Sequence, residues 1–103
     1  MIRKGSAGPE VIAELWQVIS ERACHPSKES YTSRLLTDEK GIDKVLEKVG
    51  EESTEFIIAV KNGIGERTVE EASDLLFHLM VALKASDVDI GDIFEELRMR
   101  MKK

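Results

Sequence analysis

The 103-residue sequence contains a single cysteine and no long hydrophobic run. With Cys24 alone, no intramolecular disulfide can form, and a lone thiol outside any catalytic motif is typical of a reducing cytoplasm. No apolar stretch reaches the ~20 residues that a membrane-spanning helix needs. The N-terminal residues carry no hydrophobic stretch of the kind found in a signal peptide. We therefore expect a cytoplasmic protein without a membrane partner.

Aromatic residues and net positive charge are also scarce. Aromatics make up 5% of the chain, and 20 acidic residues outnumber 15 basic ones, giving a net charge of −5. This balance argues against a nucleic-acid partner, because a surface that binds nucleic acid needs an excess of Lys and Arg. A small polyanion can still bind where a metal ion or a local basic cluster reverses the field. Hydrophobic residues, at 42%, argue against global disorder.

Only two prolines interrupt the chain, and both fall at expected helix boundaries. Pro9 suits the first position of a helix, and Pro26 prevents that helix from continuing. Ser30 is a good N-cap for a short second helix. No strand pattern is evident, so we predict an all-α fold with a mobile arm over residues 1–8 and a single domain over residues 9–103.

Two long helices should form the centre of the fold. Periodic apolar residues predict helices at about 42–61 and 67–85. Asn62 and Gly63 tolerate the left-handed conformation in which helices commonly end, and the turn they begin is short. The two helices should therefore form an antiparallel hairpin. A last helix should follow Asp89, a favourable N-cap.

The second long helix has an unusual apolar distribution. Apolar side chains between residues 75 and 83 surround the helix axis, with His78 as the one interruption. A helix that is apolar on nearly all sides is buried on nearly all sides. Because a chain of this length has few helices to cover it, we predict that a homodimer, or a dimer of dimers, completes the bundle. We expect His78 to be an interior histidine with satisfied hydrogen bonds.

Two pairs of acidic residues lie on the arms of the predicted hairpin. Glu52 and Glu55 are three residues apart on one helix, and Glu71 and Asp74 are three apart on the next, so each pair shares a flank. The hairpin should bring the pairs together, where their charges repel. A divalent cation would offset this repulsion, and carboxylate oxygens suit Mg²⁺ or Mn²⁺. A solvated acidic face is the alternative interpretation.

The carboxylate pattern resembles a known family. The segments Glu51–Glu55 and Glu71–Asp74 resemble the paired E-E-x-x-E and E-x-x-D motif of all-α nucleotide pyrophosphatases. More specific likeness to the phosphoribosyl-ATP pyrophosphatase family lies in Ser-Tyr-Thr at 30–32, Lys-Val-Gly-Glu-Glu at 48–52 and Asp-Leu-Leu-Phe-His-Leu at 74–79. The similarity extends from about residue 11 to residue 98. Ser53 and Ser73 replace small apolar residues usual in the family.

The resemblance implies Mg²⁺-dependent hydrolysis of phosphoribosyl-ATP to phosphoribosyl-AMP and pyrophosphate. This reaction is an early step of histidine biosynthesis. The resemblance also implies a dimeric helical bundle, and its small-molecule partner is a nucleotide. Two other functions remain open. The chain could be a pyrophosphatase for another, non-standard nucleoside triphosphate, or a non-catalytic helical assembly module whose acidic flanks are merely solvated.

We assign candidate roles to the residues that match the motifs. The candidate metal ligands are Glu52, Glu55, Glu71 and Asp74. Either Glu51 or Glu55 is the candidate general base that accepts a proton from an attacking water. Candidate substrate-binding residues are Lys48, as a phosphate contact, and, more weakly, Arg34, Ser30 and Tyr31. Three of these four have a simpler role available: a salt bridge for Lys48, helix capping for Ser30 and core packing for Tyr31.

Overall fold

The computed structural model describes residues 5–102, and this part of the chain contains five helices and no strand. The helices are α1 (Glu10–Cys24), α2 (Tyr31–Leu36), α3 (Ile42–Asn62), α4 (Gly65–Ala85) and α5 (Ile90–Arg100). The all-α prediction is confirmed. Residues 1–4 of the predicted arm lie outside the described residues, and residues 5–8 are not helical.

Helix boundaries follow the capping residues of the sequence. The Ser30 hydroxyl accepts a hydrogen bond from the Ser33 amide at 3.1 Å, and Asp89 accepts one from the Gly91 amide at 3.0 Å. Gly63 ends α3 with a φ of 72°, in the left-handed region that favours glycine. Helix α4 begins at Gly65, two residues before the predicted start, and helix ends commonly differ by this much.

Helices α3 and α4 form the central hairpin, and α1 and α2 pack against it. A small buried core joins these four helices through Ile19, Leu35, Val45, Met80 and Val81. Side chains of α1, including Trp16, cover this core from outside. The hairpin is therefore fixed at one face by a compact apolar cluster, which sets the register in which α3 and α4 present their acidic residues.

Much of the apolar surface of the hairpin is uncovered in a single chain. On α4, Met80 and Val81 are buried, whereas Leu76 and Leu79 are 50% and 41% exposed. An apolar groove of 370 Å³ runs beside Leu79 and is lined by Ile42, Leu46, Leu79, Ala82, Leu83, Ser86 and Ile93. Helix α5 adds a wall to this groove but has no buried residue of its own. One chain thus covers α4 only in part.

None of the helices described between residues 5 and 102 is both long enough and apolar enough to cross a membrane.

Candidate active site

Three of the predicted ligands converge between α3 and α4. One carboxylate oxygen each from Glu52, Glu55 and Glu71 lies within 4.8 Å of the other two. Glu52 and Glu55 share a flank of α3 because they are three residues apart, and the short turn after α3 places the first turns of α4 opposite them. Glu52 and Glu71 are only 7% and 4% exposed, whereas Glu55 is exposed. We call these three residues the carboxylate cluster.

Each buried member of the cluster has one basic neighbour and one unsatisfied oxygen. Oε1 of Glu52 lies 3.8 Å from Nζ of Lys48, and Oε1 of Glu71 lies 3.0 Å from Nη2 of Arg67. The Oε2 atoms of Glu52 and Glu71 are buried without a hydrogen-bond partner. Leaving a buried carboxylate oxygen unpaired is costly, so such groups usually face a donor or a metal ion. The donor set is all oxygen, which fits a hard cation such as Mg²⁺ or Mn²⁺.

Crowding in the cluster raises the pKa of Glu71. Burial is the largest cause, followed by the hydrogen bond that a protonated Glu71 can donate to Glu55 and by the charge of Glu55, while Arg67 opposes the shift and the charge of Asp74 adds to it. Burial and like charge both disfavour the ionised carboxylate. At this position the protein therefore holds a carboxylate in surroundings that favour its protonation.

Two acidic residues of the motif lie at the edge of the cluster. Asp74 is exposed and is not among the three carboxylates that converge, although its charge acts on Glu71. Oε2 of Glu51 accepts a hydrogen bond from Nζ of Lys48 at 3.2 Å. Lys48 thus links Glu51 to Glu52, and the hydrogen bond to Glu51 is the main reason that the pKa of Lys48 is raised. The ammonium group stays charged beside the cluster.

Tyr31, the first residue of α2, contacts the α4 arm of the hairpin. Its hydroxyl lies 2.9 Å from Nε2 of His78, and its ring stacks on Phe77. The pKa of Tyr31 is raised, mainly by burial; the charge of Lys48 lowers it and that of Glu52 raises it. The phenol is therefore close enough to both charged residues to respond to them. Tyr31 as a whole is still 42% exposed, so it is not a core residue.

Ser30 and Arg34 make contacts within their own segment. The Ser30 hydroxyl caps α2, as the simpler interpretation expected. Nη1 of Arg34 donates a hydrogen bond to the Lys28 carbonyl at 2.8 Å, and the guanidinium lies 6.0 Å from the centre of the Tyr31 ring. Of the four predicted substrate contacts, Lys48 pairs with carboxylates of the motif, and the pKa of Tyr31 responds to the charge of Glu52.

Sequence reasoning missed Arg67 and did not connect His78 with the site. Arg67 pairs with both Glu70 and Glu71, each at 3.0 Å, and its spacing of three and four residues from them was a visible signal of helical ion pairs. His78 is buried with both ring nitrogens hydrogen-bonded, as expected, but one partner is Tyr31, 47 positions away. No local pattern in the sequence signals that contact.

A cavity of 270 Å³ opens beside the cluster at the turn of the hairpin. Its polar lining comes from Glu55, Asn62 and Arg67, and its apolar lining from Ile58, Ala59 and Ile64. A mostly apolar recess with a few polar groups is typical of small-molecule sites. The cavity could therefore receive part of a ligand whose charged end lies at the carboxylates.

Comparisons with known proteins point to one family. The model of a family described as phosphoribosyl-ATP pyrophosphohydrolase matches residues 12–101. A phosphoribosyl-ATP pyrophosphatase of Methanoregula boonei is 68% identical over 92 residues, covering 89% of this chain and 88% of the relative. A protein of the same name from Methanoculleus marisnigri is 63% identical over 92 residues, covering 89% of this chain and 95% of its own length.

A longer relative contains a matching segment. The histidine biosynthesis bifunctional protein HisIE of Caldanaerobacter subterraneus is 47% identical over 96 residues. The match covers 93% of this chain but 46% of that relative. In that protein the domain similar to this chain therefore accounts for about half the length.

Proposed function

The chain belongs to the phosphoribosyl-ATP pyrophosphohydrolase family, and we propose that it hydrolyses phosphoribosyl-ATP to phosphoribosyl-AMP and pyrophosphate in a Mg²⁺-dependent reaction. Membership makes it a hydrolase. The reaction and its place in histidine biosynthesis come from the names of the relatives. We propose that the protein acts in the cytoplasm, an expectation that still rests on the sequence alone.

The observation that carries the metal proposal is the pair of buried, unpartnered oxygens on Glu52 and Glu71. With Glu55 they offer three oxygens in one place, and Asp74, one turn beyond Glu71, is the proposed fourth ligand. When bound, Mg²⁺ would neutralise these carboxylates, polarise phosphate oxygens and lower the pKa of a bound water. The high negative charge of a triphosphate makes such a cation the natural partner of an acidic site.

Lys48 and Arg67 are the basic side chains that contact the carboxylate cluster, and they add positive charge to that of the proposed metal ion. Each lies at the rim of the carboxylate cluster and pairs with one of its buried members. Charged donors of this kind bind phosphate oxygens strongly, and Arg can do so with two parallel hydrogen bonds. We propose that Lys48 and Arg67 bind phosphate oxygens of the substrate and thereby position the phosphoanhydride bond against the carboxylates.

A water molecule, rather than a side chain, is the proposed nucleophile. The motifs supply no Ser, Cys or His with the neighbours of an activated nucleophile, so the chain must instead hold a base for the water's proton. Glu51 and Glu55 are the two candidates. Lys48 holds Oε2 of Glu51, which leaves Oε1 as the proton acceptor of that residue. Glu55 belongs to the carboxylate cluster, where its oxygens would bind the metal.

We propose that a second copy of the chain covers the apolar groove. Leu46 and Leu79 are 49% and 41% exposed there, although their positions on α3 and α4 are those of core residues. Contiguous apolar surface of this kind marks an association site. The groove extends along both helices of the hairpin, so a partner seated on it would hold α3 and α4 in the register that the site needs.

The reaction is tested by measuring pyrophosphate release from phosphoribosyl-ATP, ATP and a non-standard nucleoside triphosphate, with Mg²⁺ and with EDTA. We expect release from phosphoribosyl-ATP alone, and only with Mg²⁺. Glu52→Gln or Glu71→Gln should lower kcat/KM by at least about 100-fold. Changing a residue that only supports a metal ligand already lowers metal affinity or activity by about 10- to 100-fold. Glu70→Gln, next to Glu71 but outside the cluster, is the matched control. Release in EDTA, or faster release from another nucleotide, would contradict the proposal.

A further inference from the structure

His78 of α4 contacts Tyr31 of α2, and we propose that this contact makes the Tyr31 hydroxyl a hydrogen-bond acceptor for a ribose hydroxyl of the substrate. The inference rests on the proposed function and assigns a substrate group to a residue of the same site. The inference follows from the donor and acceptor roles in two hydrogen bonds. The bond from His78 to Asp74 determines the tautomer of His78, and that tautomer determines the role of the Tyr31 hydroxyl.

The first bond fixes the tautomer of His78. Nδ1 of His78 lies 2.7 Å from the backbone carbonyl oxygen of Asp74. A carbonyl oxygen only accepts, so Nδ1 carries the hydrogen and donates it. Neither ring nitrogen faces a carboxylate, and the neutral ring accounts for both hydrogen bonds. In the neutral ring Nε2 then has a lone pair and no hydrogen.

The second bond determines that the Tyr31 hydroxyl is a hydrogen-bond donor to His78. The phenol oxygen lies 2.9 Å from Nε2 of His78, and because Nε2 can only accept, the Tyr31 hydroxyl must donate. The aromatic rings of Tyr31, Phe77 and His78 pack together, with centroid distances of 5.1 to 6.2 Å. This packing holds the phenol in place. The phenol oxygen of the partly exposed Tyr31 therefore keeps lone pairs for a further partner and has no hydrogen to give.

That direction decides which substrate group Tyr31 can bind. A phosphate oxygen only accepts, so it cannot pair with an oxygen that has no hydrogen to offer. A ribose hydroxyl can donate to it. The phenol lies near Lys48 and Glu52, whose charges act on it, and Lys48 already donates to Glu51. With the triphosphate at the carboxylates, the ribose attached to it carries the nearest hydroxyl groups. His78 is thus a positioning residue, and Tyr31 is the residue that contacts the substrate.

The tautomer is tested by ¹⁵N NMR of the histidine rings. The chain has two histidines, so the His25→Gln variant leaves His78 as the only imidazole signal and assigns it. At pH 7.5 we expect Nδ1 to carry the hydrogen and Nε2 to carry none. A hydrogen on Nε2 would overturn the inference, because the Tyr31 hydroxyl would then accept from His78 and could donate to phosphate. This readout needs neither substrate nor metal.

The recognised group is tested by comparing Tyr31→Phe with wild type on phosphoribosyl-ATP and on analogues lacking the 2′- or 3′-hydroxyl of the ribose that bears the triphosphate. We expect Tyr31→Phe to lower kcat/KM by about threefold to tenfold on phosphoribosyl-ATP, the effect of one neutral hydrogen bond. The loss should disappear on one deoxy analogue and persist on the other. An equal loss of kcat/KM on all three substrates would overturn this inference but not the proposed function. A wild-type protein that releases no pyrophosphate from phosphoribosyl-ATP would overturn the proposed function as well.

Discussion

Glu52 on α3 and Glu71 on α4 face one another across the hairpin, and each keeps one buried carboxylate oxygen without a hydrogen-bond partner. A single basic side chain contacts the other oxygen of each. An arrangement of this kind lowers the stability of the metal-free protein and gains from a divalent cation.

The contribution of Glu71 to the stability of the metal-free protein should fall as the pH rises. The pKa of Glu71 is raised above its ordinary value of 4.5, so between that value and the folded-state pKa the native protein binds more protons than the unfolded chain. Stability from the protonated carboxyl is complete below pH 4.5 and is lost as the pH passes the folded-state pKa. Glu71→Gln removes this titration. In EDTA, the free energy of unfolding of the variant minus that of wild type should therefore increase with pH.

Urea unfolding of both proteins from pH 4 to pH 8 measures this difference. Glu70→Gln, which also removes a partner of Arg67 but lies outside the cluster, should track wild type in its pH dependence. Saturating Mg²⁺ should stabilise wild type and Glu70→Gln but not Glu71→Gln. A difference between Glu71→Gln and wild type that is independent of pH would contradict the prediction.

Glu51 and Glu55 can be separated by comparing metal binding with turnover. Glu55 lies in the carboxylate cluster, so Glu55→Gln should weaken Mn²⁺ binding. Glu51 lies outside it, held by Lys48, so Glu51→Gln should lower kcat by about 100-fold or more while Mn²⁺ binding stays unchanged. Calorimetric titration with Mn²⁺ and steady-state kinetics provide the two readouts. Unchanged kcat in Glu51→Gln would leave Glu55 as the only candidate base.

The apolar groove should be the dimer interface. Leu79→Glu places a charge on α4 at the groove, and in a symmetric dimer the change occurs twice. Losing the burial of one leucine costs at least about 1.5 kcal/mol, so the dissociation constant should rise by about 100-fold or more. Gln17→Glu, an equal charge added at an exposed position of α1, is the control. Sedimentation velocity showing monomeric wild type at micromolar concentration would contradict the dimer.

Local signals in the sequence were enough to predict the helices and the approach of the carboxylates. Capping by Ser30 and Asp89 and the glycine end of α3 depend on neighbouring residues, so they were visible. The approach of Glu52 to Glu71 needed only helical spacing and a short turn. What could not be predicted was how far each carboxylate is buried, because that depends on the packing of other helices around the hairpin.

The contacts that remained hidden join distant parts of the chain. Tyr31 meets His78 because α2 packs across both arms of the hairpin, and no spacing rule connects positions so far apart. The position of Asp74 outside the carboxylate cluster depends on its side-chain direction, which the helical period gives only approximately. Its proposed role as the fourth ligand therefore stays a prediction.

Diffraction from crystals grown with Mn²⁺, recorded at a wavelength where manganese scatters anomalously, tests the central claim most directly. The account predicts an anomalous peak about 2 Å from carboxylate oxygens of Glu52, Glu55 and Glu71, with Asp74 turned toward it. The same crystals of Glu71→Gln should lack the peak. Density for Mn²⁺ elsewhere and none among these carboxylates would contradict the account.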